Sequence, residues 1–93
     1  IDTIFTDHVK LTMQIVTTKG HAIRDELLAS IYRGITMSEG YGGYTQEKKD
    51  ILMMVLTRYE TLHVKSIVRK HDENAFINMF ETVEVDGKFH RNN

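Results

Sequence analysis

The sequence predicts a single α+β domain in which strands and helices follow in the order βαββαβ. The apolar pattern alternates between periods of two and of 3.6 residues in that order, as strands and helices with one buried face require. At 93 residues and 41% hydrophobic content, the chain suffices for one compact domain. We predict a leader over residues 1–7, a domain over residues 8–89 and a polar tail over residues 90–93.

The first half of the chain predicts a strand, a helix and a second strand. Val9 to Ile15 alternates apolar with polar residues, which indicates a strand with one face in a core. A short strand, Ile35 to Ser38, follows, and Gly34 is predicted to end the helix between them near its C′ position. That helix is indicated by apolar residues at helical spacing: Ile23, Leu27, Leu28 and Ile31.

The second half of the chain predicts a third strand, a second helix and a fourth strand. Ile51 to Leu56 is the third strand, and Thr57 to Glu60 fits a capping box that starts the second helix. Ala75 to Phe80 is the fourth strand, and Val83 to Val85 is predicted as a short edge piece before a turn. The predicted apolar stripe of the second helix comprises Thr61, Val64, Ile67, Val68 and His71.

This order corresponds to a ferredoxin-like fold. Right-handed crossovers place both helices on one face of a four-stranded antiparallel sheet. The third strand, however, offers apolar side chains to both faces, because Leu52, Met54 and Leu56 have apolar neighbours. We therefore expect a homo-oligomer that buries the open sheet face. Alternatively, the Ile1 to Phe5 segment or the C-terminal tail covers it.

The amino-acid composition argues against several classes of function. Twelve basic and thirteen acidic residues give a net charge of −1, so the basic surface that nucleic-acid binding requires is missing. The absence of cysteine excludes disulfides and thiolate metal sites, and suits a reducing compartment. No apolar run approaches the ~20 residues that span a bilayer. We expect no nucleic-acid partner and a soluble fragment.

A glycine-rich loop is the main candidate for a ligand site. Glycines permit positive φ, so the backbone amides of Gly40, Gly42 and Gly43 could converge on a phosphate or carboxylate while Tyr44 stacks on a base. Alternatively, the loop only connects two strands and Tyr44 packs on the sheet edge. Thr45 ends the loop.

Arg33 and Thr36 extend this candidate site. Arg33 could present its guanidinium to an anion, and Thr36 could offer a hydroxyl near the root of the loop. Both also have structural explanations, because a cation suits a helix C-terminus and a threonine suits an exposed strand.

Catalytic and metal motifs are not found in this sequence. Glu60 and His63 share a helix face, but no second such pair accompanies them. His71 falls on the apolar stripe, where a partly buried, hydrogen-bonded histidine is expected. No serine or threonine occupies a nucleophile motif. We expect no enzyme activity, no metal and no cofactor.

Arg33 to Thr36, Gly40 to Thr45, Asp72 and Ala75-Phe76 resemble the C-terminal soluble domain of the YitT family of multi-pass bacterial membrane proteins, a domain of unknown function. The resemblance implies a shape related to PII-type signalling proteins and a position on the cytoplasmic face of the plasma membrane. It also implies that Ile1 to Phe5 leaves the last membrane helix. Thr61 and His71 stand where the family tends to place larger apolar residues.

Two functions follow as hypotheses. In the first, the domain is a regulatory sensor that binds a small anionic metabolite or nucleotide at the glycine loop and passes that state to the membrane helices of the same chain. In the second, it is an oligomerisation module that needs no ligand. The two differ in what substitutions of Gly42 and Tyr44 should do.

Overall fold

The computed structural model describes residues 9–87 and residue 89. It confirms the predicted order of elements, with a single 3₁₀ turn added before the second helix. The predicted leader and polar tail lie outside the described residues. The elements are β1 (Lys10–Thr17), α1 (Gly20–Ser30), β2 (Thr36–Tyr41), β3 (Lys48–Thr57), the 3₁₀ turn (Arg58–Glu60), α2 (Thr61–His71) and β4 (Phe76–Thr82).

The four strands form one antiparallel sheet in the order β2-β3-β1-β4, which confirms the ferredoxin-like prediction. Lys10, at the start of β1, pairs with Thr57 at the end of β3 and with Thr82 at the end of β4. We call this edge of the sheet its base. The opposite edge, where Tyr41 and Lys48 flank the β2–β3 connection, is the hairpin end.

The core lies between the helices and one face of the sheet. Met13 pairs with Met54 and Ile15 pairs with Leu52 across the central strands, so their side chains share that face. The helices complete the core with Ile23, Leu27, Val64, Ile67 and Val68.

Leu52, Met54 and Leu56 are buried in this core rather than on the open sheet face. A strand turns successive side chains to opposite faces, so the open face receives their neighbours Ile51, Met53 and Val55. The sequence pattern predicted apolar residues on both faces but did not show which set faced the helices.

Several predicted boundaries differ from the structure. The first helix ends at Ser30, and Ile31 already has an extended backbone with φ −131°. Gly34 therefore does not cap this helix, because the chain leaves it early so that Ile31 and Ile35 can pack against the core. The second strand runs on to Tyr41, and Val83 to Val85 form no strand.

The start of α1 is held by a residue from another element. The Asp50 carboxylate on β3 accepts a hydrogen bond of 3.1 Å from the amide of Gly20. A buried anion at a helix N-terminus satisfies an amide that has no intrahelical partner and complements the helix dipole. A Cβ added to Gly20 would lie 2.4 Å from the Asp50 Cβ, so this close approach requires glycine.

The start of α2 follows the predicted capping box. The Glu60 carboxylate accepts a hydrogen bond of 2.8 Å from the amide of Thr57. The capping box fixes the 3₁₀ turn that leads from β3 into α2. It was read from the sequence because both of its partners lie within four residues.

The Gly20→Ala substitution should destabilise the domain by about 1–3 kcal/mol, because the new methyl group overlaps Asp50 and displaces the carboxylate that caps α1. Urea unfolding monitored by circular dichroism measures this change. Gly34→Ala is the matched control, since nothing lies within 4 Å of a Cβ at Gly34. Equal stability of the two variants would contradict the role given to Asp50.

Candidate functional site

The predicted ligand-site residues do not lie together. Arg33 contacts the capping box at the base, and Thr36, at the start of β2, pairs with Met53 midway along the sheet. Gly42 to Thr45 form the β2–β3 connection at the hairpin end, and Gly40 lies inside β2. The six residues of β2 separate the two groups by about 17 Å. One small anion cannot contact both.

The hairpin closes through one helical turn of backbone. The Gly42 amide donates to the Glu47 carbonyl over 2.9 Å, and the Gln46 amide donates to the Gly42 carbonyl over 2.8 Å. Gln46 supplies the left-handed conformation, with φ 58°. Gly40, Gly42 and Gly43 do not adopt positive φ, so the expectation that these glycines supply it is wrong.

The tip of the hairpin exposes backbone donors and an aromatic ring. Among residues 9–87 and 89, no hydrogen bond is donated by the backbone amides of Gly43, Tyr44 and Thr45. Tyr44 is 99% exposed, so the alternative in which it packs on the sheet edge is wrong. The tip resembles the first turn of a helix, which can attract an anion.

A side chain on Gly42 would displace a neighbouring side chain of this turn. A Cβ added to Gly42 would lie 2.7 Å from the Thr45 hydroxyl oxygen, which accepts a hydrogen bond of 3.2 Å from the Glu47 amide. A Cβ on Gly43 would meet nothing within 4 Å. The two glycines therefore differ in their tolerance of a side chain.

Charges near the hairpin are paired. Lys48 binds Glu39 and Lys49 binds Glu47, each over 3.2 Å. The Glu39 carboxylate raises the pKa of Lys48 through its hydrogen bond. An anion at the tip would therefore be held chiefly by neutral amides, with these lysines already engaged by carboxylates.

Arg33 has a structural role at the base. Its guanidinium is almost fully buried and contacts both oxygens of Glu60, over 3.2 Å from Nε and 3.1 Å from Nη2. It also donates to the Tyr32 carbonyl over 3.0 Å and lies 3.8 Å above the Phe89 ring. Arg33 thereby joins the end of α1 to the capping box that starts α2.

Thr36 is the other candidate residue outside the glycine loop. It is exposed at the start of the edge strand β2 and pairs with Met53 of β3. Its side chain therefore belongs to the open sheet face.

The histidines do not form a metal centre in the part of the chain that the structure describes, where no three His, Asp or Glu side chains cluster. Glu60 is engaged by Arg33 and Thr57 instead of facing His63. His71 is partly buried and its Nε2 lies 2.7 Å from Glu26, as expected for a hydrogen-bonded structural histidine.

Glu26 links the two helices near the hairpin end. Its carboxylate on α1 accepts hydrogen bonds from Lys70, over 2.5 Å, and from His71, both on α2. These two contacts, Lys70 first, lower the pKa of Glu26 below its ordinary value of 4.5. The sequence did not reveal this contact, because its partners are more than forty residues apart.

The open sheet face carries a strip of mostly apolar side chains. The sequence predicted that apolar residues lie on this face but identified only some of them. In one row Val16 of β1 lies between Ile51 of β3 and Phe76 of β4. In another row Thr12 lies between Val55 and Phe80. We call these two rows together with Met53 the open-face strip.

The phenylalanines of the strip are well exposed, at 64% for Phe76 and 49% for Phe80. Their sequence spacing around Asn78 was the available signal, because residues two apart on a strand share a face. This spacing places the phenylalanines on the open face only when Ile77, which lies next to Phe76, is known to face the core.

The contribution of Glu26 to stability should depend on pH. Its pKa is depressed in the folded state, so its contribution is present above pH 4.5 and is lost as the pH falls through the folded-state pKa. The difference in unfolding free energy between the wild type and Glu26→Gln should therefore shrink below pH 4.5. Urea unfolding across this range measures it. A difference that stays constant with pH would show that the Glu26 charge is not involved.

The chain is similar to known bacterial proteins. The family described as "Uncharacterized protein conserved in bacteria (DUF2179)" matches residues 33–87. The UPF0750 membrane protein YitT of Bacillus subtilis is 38% identical over 98% of the chain, and the chain spans 32% of that relative's length. No helix in residues 9–87 is long and apolar enough to cross a membrane.

Two solved structures share the fold. A functionally unknown protein from Pediococcus pentosaceus superposes with a TM-score of 0.74 at 16% identity, covering 86% of this chain and 97% of that one. A DUF2179 protein from Eubacterium ventriosum superposes with a TM-score of 0.61 at 25% identity, covering 78% of this chain and 97% of that one. The family match covers more than half of the chain, and the chain therefore belongs to the DUF2179 family found in UPF0750 membrane proteins.

Proposed function

We propose that this domain is an assembly module that joins two copies of its parent membrane protein through the open-face strip. The observation that supports this proposal is the exposure of Phe76, Phe80 and Met53 on a sheet face that neither helix covers. Exposed aromatic side chains that share one face are typical of association surfaces. The proposed role is structural and involves no enzyme activity.

The chemistry of the face suits a second copy of the same chain. Between its two ends, the described side chains of the face are apolar or uncharged and polar, and Gln14 and Asn78 lie in the row of Met53, between the other two rows. Pairing two such faces would bury no unpaired charge in the middle of the interface. Two sheets packed face to face lie about 10 Å apart, close enough for the phenylalanines of both copies to interdigitate.

The positions of the first and last strands support the same partner. Lys10 and Thr82 lie side by side at the base, so a membrane segment that joins β1 or β4 directly would attach there. The strands would then point away from the bilayer and the open face would point sideways. Domains held on one membrane meet at a high effective concentration, which favours pairing of sideways faces. We place them on the cytoplasmic side, in keeping with the absence of cysteine.

A lysine in the strip should weaken self-association. We expect the 93-residue chain to form dimers in sedimentation equilibrium, and Phe80→Lys or Met53→Lys to raise the dissociation constant at least tenfold, because each buries an unpaired charge at the interface. Ala29→Lys is the matched control, since Ala29 is exposed on α1, which packs on the opposite face of the sheet.

A monomeric wild type at high concentration would overturn the assembly proposal. It would favour the alternative in which a segment of the same chain covers the face.

A second function is favoured by a separate observation, the hydrogen-bond donors at the hairpin tip. The amides of Gly43, Tyr44 and Thr45 point to binding of a small anionic metabolite or nucleotide, with Tyr44 able to stack on a base. Arg33 and Thr36 lie too far away to join this site. Ordering of the hairpin would then be the regulatory signal.

Thermal-shift measurements test the second function. We expect inorganic phosphate and AMP to raise the melting temperature in a dose-dependent manner. Gly42→Ala should abolish the shift because it displaces Thr45, whereas Gly43→Ala has room for its methyl group and should keep it. Tyr44→Ala should weaken the AMP effect alone. The absence of a shift with either compound would reject this function and leave the assembly proposal unaffected.

A further inference from the structure

The base of the sheet is the end at which β1 begins and β4 ends. The start of β1 and the end of β4 are register partners there, through Lys10 and Thr82. The chain spans 32% of the length of a membrane-protein relative. A membrane region that joins the domain directly at β1 or β4 would make the base the end nearest the bilayer.

Large apolar side chains are exposed at the same end. Tyr32 follows α1, Tyr59 lies in the 3₁₀ turn and Leu62 lies in the first turn of α2. Tyr59 is 65% exposed and Leu62 is 77% exposed, and Tyr32 is exposed as well. The three side chains therefore lie in the segments that connect strands and helices at this end.

The Arg33–Glu60 ion pair holds these turns together. Arg33 follows Tyr32 directly and Glu60 follows Tyr59 directly, and their side chains contact each other over 3.1 Å. The pair is largely buried and belongs to the capping box of α2. The exposed rings are thus carried on a rigid support rather than on independent loops.

We propose that the base of the domain rests against the lipid headgroup layer of the bilayer that holds the parent protein, with Tyr32, Tyr59 and Leu62 entering that layer. Tyrosine is enriched at membrane interfaces because its ring is apolar and its hydroxyl remains hydrated. This inference depends on membership of a membrane-protein family and does not depend on dimer formation.

The contact is apolar rather than electrostatic. Lys10 and Arg58 are cations of this end, while Glu81, Glu84 and Asp86 lie near or after the end of β4, so neither sign of charge dominates. Anionic lipid is therefore not required, and the contact should persist when salt screens surface charges. Phosphatidylcholine vesicles are the appropriate probe.

The chain offers a clean spectroscopic test, since it contains neither tryptophan nor cysteine. A cysteine added before Ile1 couples the domain to a maleimide lipid in phosphatidylcholine vesicles. Tyr59→Trp then reports from the base, and Tyr44→Trp is the matched control at the hairpin end. The similar fold covers 97% of the solved chain of the Eubacterium ventriosum relative, which supports testing the domain by itself.

We expect the emission of Tyr59→Trp to shift to shorter wavelength on vesicles and to be quenched by brominated phosphatidylcholine, at low and high salt alike. The emission of Tyr44→Trp should not change. Adding Leu62→Asp to the Tyr59→Trp chain should reduce the quenching, and circular dichroism verifies that this variant is folded.

Several outcomes would overturn the inference. The emission wavelength of Tyr59→Trp could remain unshifted on vesicles, or both reporters could be quenched equally. The emission of Tyr59→Trp could also shift when the cysteine is coupled to soluble polyethylene glycol, which would indicate self-association. Repeating the measurement with Phe80→Lys separates this inference from the assembly proposal, because a lipid contact at the base should survive that substitution.

Discussion

The antiparallel pairing of β1 with β3 is the constraint on which the rest of the structure depends. The pairing joins the two central strands along the whole of β1, with Lys10 opposite Thr57 and Thr17 opposite Asp50. This register puts Met13 with Met54 on the helix side and Val16 with Ile51 on the open side. A slip of one residue would turn the core side chains of a strand towards the open face, so burial of the core fixes the register.

The two ends of this pair determine where the helices begin. At the hairpin end, Asp50 of β3 caps α1 through the amide of Gly20. At the base, Glu60 caps the turn into α2 and also binds Arg33 from the segment after α1. Each carboxylate thereby satisfies helix amides and connects separate parts of the chain, which makes the caps part of the tertiary structure.

The same geometry separates the proposed functions in space. The sheet has a side face with the open-face strip, a base with exposed tyrosines, and a hairpin end with free backbone donors. A base held at the bilayer would leave the strip facing neighbouring domains and would keep the hairpin farthest from the membrane. Assembly and anion binding would then act on different surfaces, so one can change without disturbing the other.

The sequence by itself determined the order of elements, the helix stripe around Val64 and the capping box of Thr57, because each depends on residues close in the chain. It did not determine which apolar residues of β3 face the helices, since a strand that is apolar on both faces has no internal signal. It grouped Arg33 with the glycine loop, whereas β2 carries them to opposite ends of the sheet. The cap that Asp50 provides and the helix link through Glu26 were decided only by tertiary structure, because their partners are distant in sequence and meet only when the sheet and helices pack.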